Sequence, residues 1–167
     1  FIEEFYEEAQ QMNLISQKGF TLLEVILAIF ILSLTLIASF SLIQQGVISA
    51  SLNESQLVAY YLAQEGVEII RNIRDTGWLS ATLSLAAGEW EVDYLSEELT
   101  FLEEDGRYLN IDNQGFYSYE TGTATRFKRK IILTEELDQW GVEVIISWKD
   151  RGRNYEAAVA SYLNNWY

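Results

Sequence analysis

One carboxylate, Glu24, stands alone in an apolar run: Thr21 to Ile43 holds no other charge in 23 residues. A charge inside the hydrocarbon of a bilayer costs on the order of a few kcal/mol, so it is ordinarily paired or functional. Near the end of a span, snorkelling lowers that cost, which is the plainer account. Immediately ahead lies Gln17-Lys18-Gly19-Phe20-Thr21-Leu22-Leu23, a basic residue and a glycine set against the start of the run. Few other chemistries are open. With no cysteine and no histidine, Ser/His/Asp and Cys/His catalysis, disulfides and the commonest metal ligand are excluded. Paired carboxylates, a Gly-rich phosphate loop and metal-ligand spacing do not stand out, so neither an enzyme, a cofactor nor a metal site is expected.

Two charged clusters remain. Arg126, Lys128, Arg129, Lys130, Lys149, Arg151 and Arg153 are seven of the eleven basic residues. Such a patch could grip nucleic acid, with Trp148 and Tyr155 close by for base stacking. A net charge of −14 argues against a protein built mainly to hold phosphate backbones. The blander reading is a solvated strand face, because Arg126, Lys128 and Lys130 share one parity along an extended chain. Arg129 shares the opposite parity with Phe127, Ile131 and Leu133, so it is expected to face a helix and pair with Glu68 or Asp75. Glu97, Glu98, Glu103, Glu104 and Asp105 form an acidic loop whose spacing fits no defined calcium loop. The tryptophans Trp78, Trp90, Trp140, Trp148 and Trp166 read as core or sheet-edge packing.

The elements that must carry these residues are legible. Phe20 to Ile43 is long and apolar enough to cross a bilayer as a helix, and too long for the apolar core of a secretory signal. Lys18 favours keeping its flank in the cytoplasm. Beyond the span, Leu52, Ala59, Leu62, Ala63, Val67, Ile70 and Ile73 recur at helical spacing, with Glu54, Gln64, Glu65, Glu68, Arg71 and Arg74 on other faces. Asp75-Thr76-Gly77 reads as the helix end. The period then changes to two. Trp90, Val92 and Tyr94 alternate with Glu89, Glu91 and Asp93, which predicts a half-buried strand. Tyr108–Ile111 and Phe116–Tyr119 flank Asp112-Asn113-Gln114-Gly115 as a hairpin. Thr125–Thr134, Val142–Trp148 and Tyr155–Leu163 complete the strands, the last two joined at Lys149–Gly152. The expected fold is α+β: a long N-terminal helix, membrane-spanning in its first half, with an antiparallel sheet packed on its second.

Gln17-Lys18-Gly19-Phe20-Thr21-Leu22-Leu23-Glu24, followed by the long apolar span, resembles the N-terminus of the type IV prepilin family, which includes the type II secretion pseudopilins. The order and proportions of the whole chain are similar too. The resemblance implies cleavage by a prepilin peptidase after Gly19, methylation of the new N-terminus at Phe20, and a role for Glu24 in pairing with the terminal amine of a neighbouring subunit. It divides the chain into a leader, residues 1–19; a transmembrane and assembly half-helix, 20–46; an amphipathic half-helix, 47–76; and a head, 77–167. Met12 is the only methionine, and residues 1–11 are rich in glutamate where family leaders are short and basic; translation is expected to start at Met12. The implied location is the inner membrane, with the N-terminus cytoplasmic and the head outside, and then a pilus or pseudopilus. Implied partners are the peptidase, membrane lipid, other pilin subunits and the inner-membrane assembly machinery. Many major pilins have a proline where this chain has Ser41, and a disulfide-closed loop; lacking both, the chain fits a minor pilin or a pseudopilin equally. A monomeric anchored binding protein and a DNA-uptake pilin stay open as alternatives.

Overall fold

The structure is a computed structural model and describes residues 19–80, 85–104 and 106–164. The proposed leader residues 1–18, Asp105 and Trp166 lie outside these. The chain divides into two compact units, Phe1–Ile48 and Ser49–Tyr167. Helix α1 runs from Leu22 to Leu79.

In the first unit α1 is apolar on every side, and none of residues 19–50 is buried. A helix greasy all round and unburied by protein is one that suits lipid. Its few hydroxyls turn back onto its own backbone: Ser33, Thr35 and Ser39 donate to the carbonyls of Phe30, Leu32 and Thr35, each at 2.8 Å. No polar side chain among these three is left to be solvated by hydrocarbon.

In the second unit α1 becomes one-sided. Ala59, Leu62, Ala63, Val67, Ile70 and Ile73 are buried, as their spacing predicts, and Leu52 is half-buried. Gly66 joins this face because the sheet comes too close for a side chain: a Cβ there would lie 2.8 Å from Val144 Cγ1. The helix does not stop at Asp75-Thr76-Gly77. It continues to Leu79, with the Arg74 guanidinium 5.5 Å from the Trp78 ring one turn on and the Ser80 amide bonded to the Thr76 carbonyl. One glycine among residues with such local partners does not end a helix.

Among the described residues seven strands form one antiparallel sheet: β1 (Gly88–Glu91), β2 (Thr100–Phe101), β3 (Tyr108–Ile111), β4 (Tyr117–Ser118), β5 (Thr123–Glu136), β6 (Gln139–Asp150) and β7 (Arg153–Asn164). β5 is the centre. One of its edges is shared by β3, which pairs near Lys128 and Ala124, and β1, which pairs near Ile131 and Leu133. Its other edge pairs with β6 from Phe127↔Trp148 to Glu136↔Gln139. β6 pairs with β7 along its whole length. β6 and β7 turn through Arg151 and Gly152, whose φ of 47° and 78° make the type I′ turn that suits strand twist.

The inward faces of β5 and β6 (Phe127, Ile131, Leu133; Val142, Val144, Ile146, Trp148) form one core with the helix stripe. Each such side chain withdrawn from water contributes about 1.5–3 kcal/mol. The expected strand through Trp90, Val92 and Tyr94 is corrected in two ways. It ends at Glu91, and Glu91 and Asp93 are buried whereas Tyr94 is exposed. Alternation fails there because both carboxylates have partners inside.

Candidate functional site

The N-terminal site begins with an open stretch. Gly19 and Phe20 precede the helix, Phe20 is 81% exposed, and among the described residues nothing beyond its chain neighbours lies within 4 Å of where a Gly19 Cβ would be. Thr21 then caps the helix. Its Oγ1 accepts from the Glu24 amide at 3.3 Å, and its carbonyl accepts from the Val25 amide at 3.2 Å. Thr21-Leu22-Leu23-Glu24 thus has the spacing of a capping box, with Glu24 three residues after the cap. Glu24 is exposed and in the first turn, where a negative charge complements the positive end of the helix dipole. That local role was readable from the sequence and is distinct from any role between subunits.

A second set of residues surrounds β1. Glu91, fully buried, accepts the Arg107 amide at 2.7 Å and its Nε at 2.8 Å. The Glu91 hydrogen bond, ahead of the opposing cost of burial, holds the Arg107 guanidinium above its ordinary basicity. Asp93 accepts from the Leu95 amide and Ser96 Oγ through one oxygen, and from the Tyr119 amide at 2.8 Å through the other. The short strands have few ladder bonds, and these carboxylates anchor the loops in their place. Arg129 reaches in from β5: Nη1 donates to the Val92 carbonyl at 3.0 Å and Nη2 to Glu65 at 2.8 Å. Arg129 does face the helix, but its partner is Glu65, not Glu68 or Asp75. Those two pair with Arg71 and Arg74 instead. Helical geometry explains this, because Glu65 adjoins Gly66, where the sheet lies too close for a side chain and the Arg129 Cδ would be 3.5 Å from a Cβ.

Tyr119 lies against this network. Its ring is 4.4 Å from the Arg107 guanidinium, and burial pushes its phenol above the ordinary value of 10.0, with Arg129 opposing. A raised phenol stabilises the fold fully below about pH 10. That stability is lost as pH rises toward the folded value, because only the unfolded chain releases the proton. The loss is about 1.4 kcal/mol per pH unit. Thermal unfolding followed from pH 8 to pH 11 is therefore expected to show a fall above pH 10 that is shallower in Tyr119→Phe.

The basic residues divide. Arg126, Lys128 and Lys149 line one shallow groove with Tyr108 and Asn154. Besides Arg129, carboxylates engage two more of the cluster: Arg126 lies 3.5 Å from Asp150, and Lys130 lies 3.1 Å from Glu89. Lys128 Nζ sits 4.6 Å from the Tyr108 ring. Arg151 and Arg153 stand exposed at the hairpin tip. Trp148 is not available to stack on bases. It is buried beneath the sheet, with its ring 5.6 Å from Tyr155 and 5.9 Å from Phe127. Of the other tryptophans, Trp90 and Trp140 are buried and Trp78 is half-buried. Among the described residues no group of three or more acidic side chains is arranged to hold a metal ion.

No curated protein and no solved structure matches the chain. Residues 15–40 match the family model described as the prokaryotic N-terminal methylation motif, so the chain carries the prepilin-type cleavage and methylation signal of type IV pilins and pseudopilins.

Proposed function

We propose that this protein is a structural subunit of a type IV pilin-like filament, a minor pilin or pseudopilin, made as a membrane-held precursor. The methylation motif running into an unburied apolar helix is the observation that carries this reading. In it, prepilin peptidase cuts after Gly19, and the new terminus at Phe20 is methylated. The span holds the subunit in the inner membrane with its head outside. The assembly machinery then transfers the helix from lipid to a bundle of like helices, which replaces one apolar surrounding by another. Cleavage creates a cation at Phe20 in apolar surroundings. Glu24 of a neighbouring subunit neutralises it, so that neither charge is left unpaired. The role is mechanical, and no residue in it is assigned to catalysis.

The test is coexpression of the full chain with a prepilin peptidase. A shortened product whose N-terminal peptide is Phe20 plus one methyl group is expected, and Gly19→Ala is expected to abolish it. Since among the described residues nothing but its chain neighbours lies near Gly19, alanine disturbs no contact with them, and the block reports on the peptidase's close approach to the backbone. A wild-type product that keeps Lys18 and Gly19 would sink the proposal in favour of a plainly anchored protein.

A further inference from the structure

The sheet has unequal edges. β2 and β4, two residues each, end one side, and shortness protects an edge from stray pairing. On the other side β7 runs for twelve residues and, among the described residues, pairs only with β6. Its register with β6 runs unbroken from Asp150↔Arg153 to Gln139↔Asn164, whereas β3 and β5 shift register between Tyr108 and Asn110. β7 thus lacks a bulge, and it contains neither proline nor lysine. Of the usual guards of an exposed edge, shortness, a bulge, proline and lysine are all missing, and one outward acid, Glu156, remains along its middle.

The turn fixes which backbone groups face outward. A two-residue loop closes on a pair that exchanges both hydrogen bonds, here Asp150 and Arg153, and such pairs alternate along an antiparallel ladder. Arg153, Tyr155, Ala157, Val159 and Ser161 therefore spend their N–H and C=O groups on β6. Asn154, Glu156, Ala158, Ala160 and Tyr162 direct theirs away from it. Asn164 belongs to the outward series, and its carbonyl accepts from Arg74 Nη1 at 3.2 Å, as that series requires. Asn154, Glu156, Ala158, Ala160 and Tyr162 are all exposed.

The geometry points to an edge that docks a second copy of this chain, β7 against β7 in antiparallel. Charge is the argument for that occupant. The chain carries −14, yet β7 holds one acid, Glu156, and one base, Arg153, so the strand itself is neutral and a joint of two copies brings no net charge together. Pairing centred on Val159 sets Ala158 opposite Ala160 and Glu156 opposite Tyr162, with no like charges facing. Small side chains at the centre let the two backbones meet. The docking does not depend on leader removal or filament assembly.

The absence of cysteine makes the test clean. The full chain in detergent micelles, carrying Val159→Cys alone, is expected to form an intermolecular disulfide at least tenfold faster than Asn113→Cys in the β3–β4 turn. Val159 pairs with itself across the two-fold at a distance a disulfide spans. Adding Ala158→Pro is expected to abolish the difference, since it removes an amide that points outward and not one in the ladder. Should the proline disturb folding, Ala158→Lys with Ala160→Lys sets like charges across the joint and is expected to do the same. Equal rates at positions 159 and 113, or rates that both variants leave unchanged, would overturn the inference.

Discussion

Glu24→Ala is expected to insert in the membrane and lose its leader normally, yet to enter filaments poorly, and Glu24→Gln is expected to fail almost as badly. The pair separates two roles that share one side chain. As the third residue after a Thr21 cap, Glu24 contributes locally to the helix start, and glutamine serves a capping box nearly as well. A capping role alone therefore predicts that glutamine is benign. As the counter-charge of a neighbour's methylated terminus, Glu24 cannot be replaced by a neutral amide, because the ammonium would remain uncompensated among apolar helices. A loss of about 3 kcal/mol at each contact between subunits weakens association roughly a hundredfold. Quantifying membrane-extractable against sheared, filament-borne subunit in cells that process both variants gives the answer. Filament yields like wild type for Glu24→Gln would confine this residue to its own helix.

How much of this molecule could be read in advance follows from how local each signal is. The span, the helix stripe and the β3–β4 and β6–β7 hairpins rest on periodicity and turn chemistry within a few residues. All four appear where the pattern places them. The methylation motif is equally local, a contiguous string matched as such. What could not be read is held by partners far along the chain. Glu91 and Asp93 look like the wet side of a strand until Arg107 and Tyr119 arrive from 16 and 26 residues away. Gly66 looks like a defect in a helix until Val144 is laid against it. Arg129 was legible by parity as inward-facing, but its partner was a matter of helix rotation that parity does not contain. Glu65 carried a signal of a kind: it is the acid next to Gly66, a glycine in the middle of the buried stripe.

That misread pair sets the largest stability effect in the head. Glu65→Ala is expected to lower the unfolding temperature by about 10–15 °C, a loss of about 3 kcal/mol in a unit of this size. The reason is asymmetric. Arg129 has no exposed side-chain surface, while Glu65 keeps about a third of its own, so removing the acid leaves a full charge in the interior with, among the described residues, the Val92 carbonyl to receive it. Glu68→Ala, by contrast, breaks an exposed pair with Arg71 and is expected to shift the same transition by no more than about 2–4 °C. Replacing both partners by apolar residues, Glu65→Leu with Arg129→Met, is expected to recover most of the loss, because the cost lies in the orphaned charge and not in the missing bond. Tryptophan fluorescence of the full chain during heating reads all three, since Trp90, Trp140 and Trp148 are core residues. A Glu65→Ala protein that melts with wild type would mean that water reaches Arg129 in the folded state, and that the helix is held to the sheet by its apolar stripe alone.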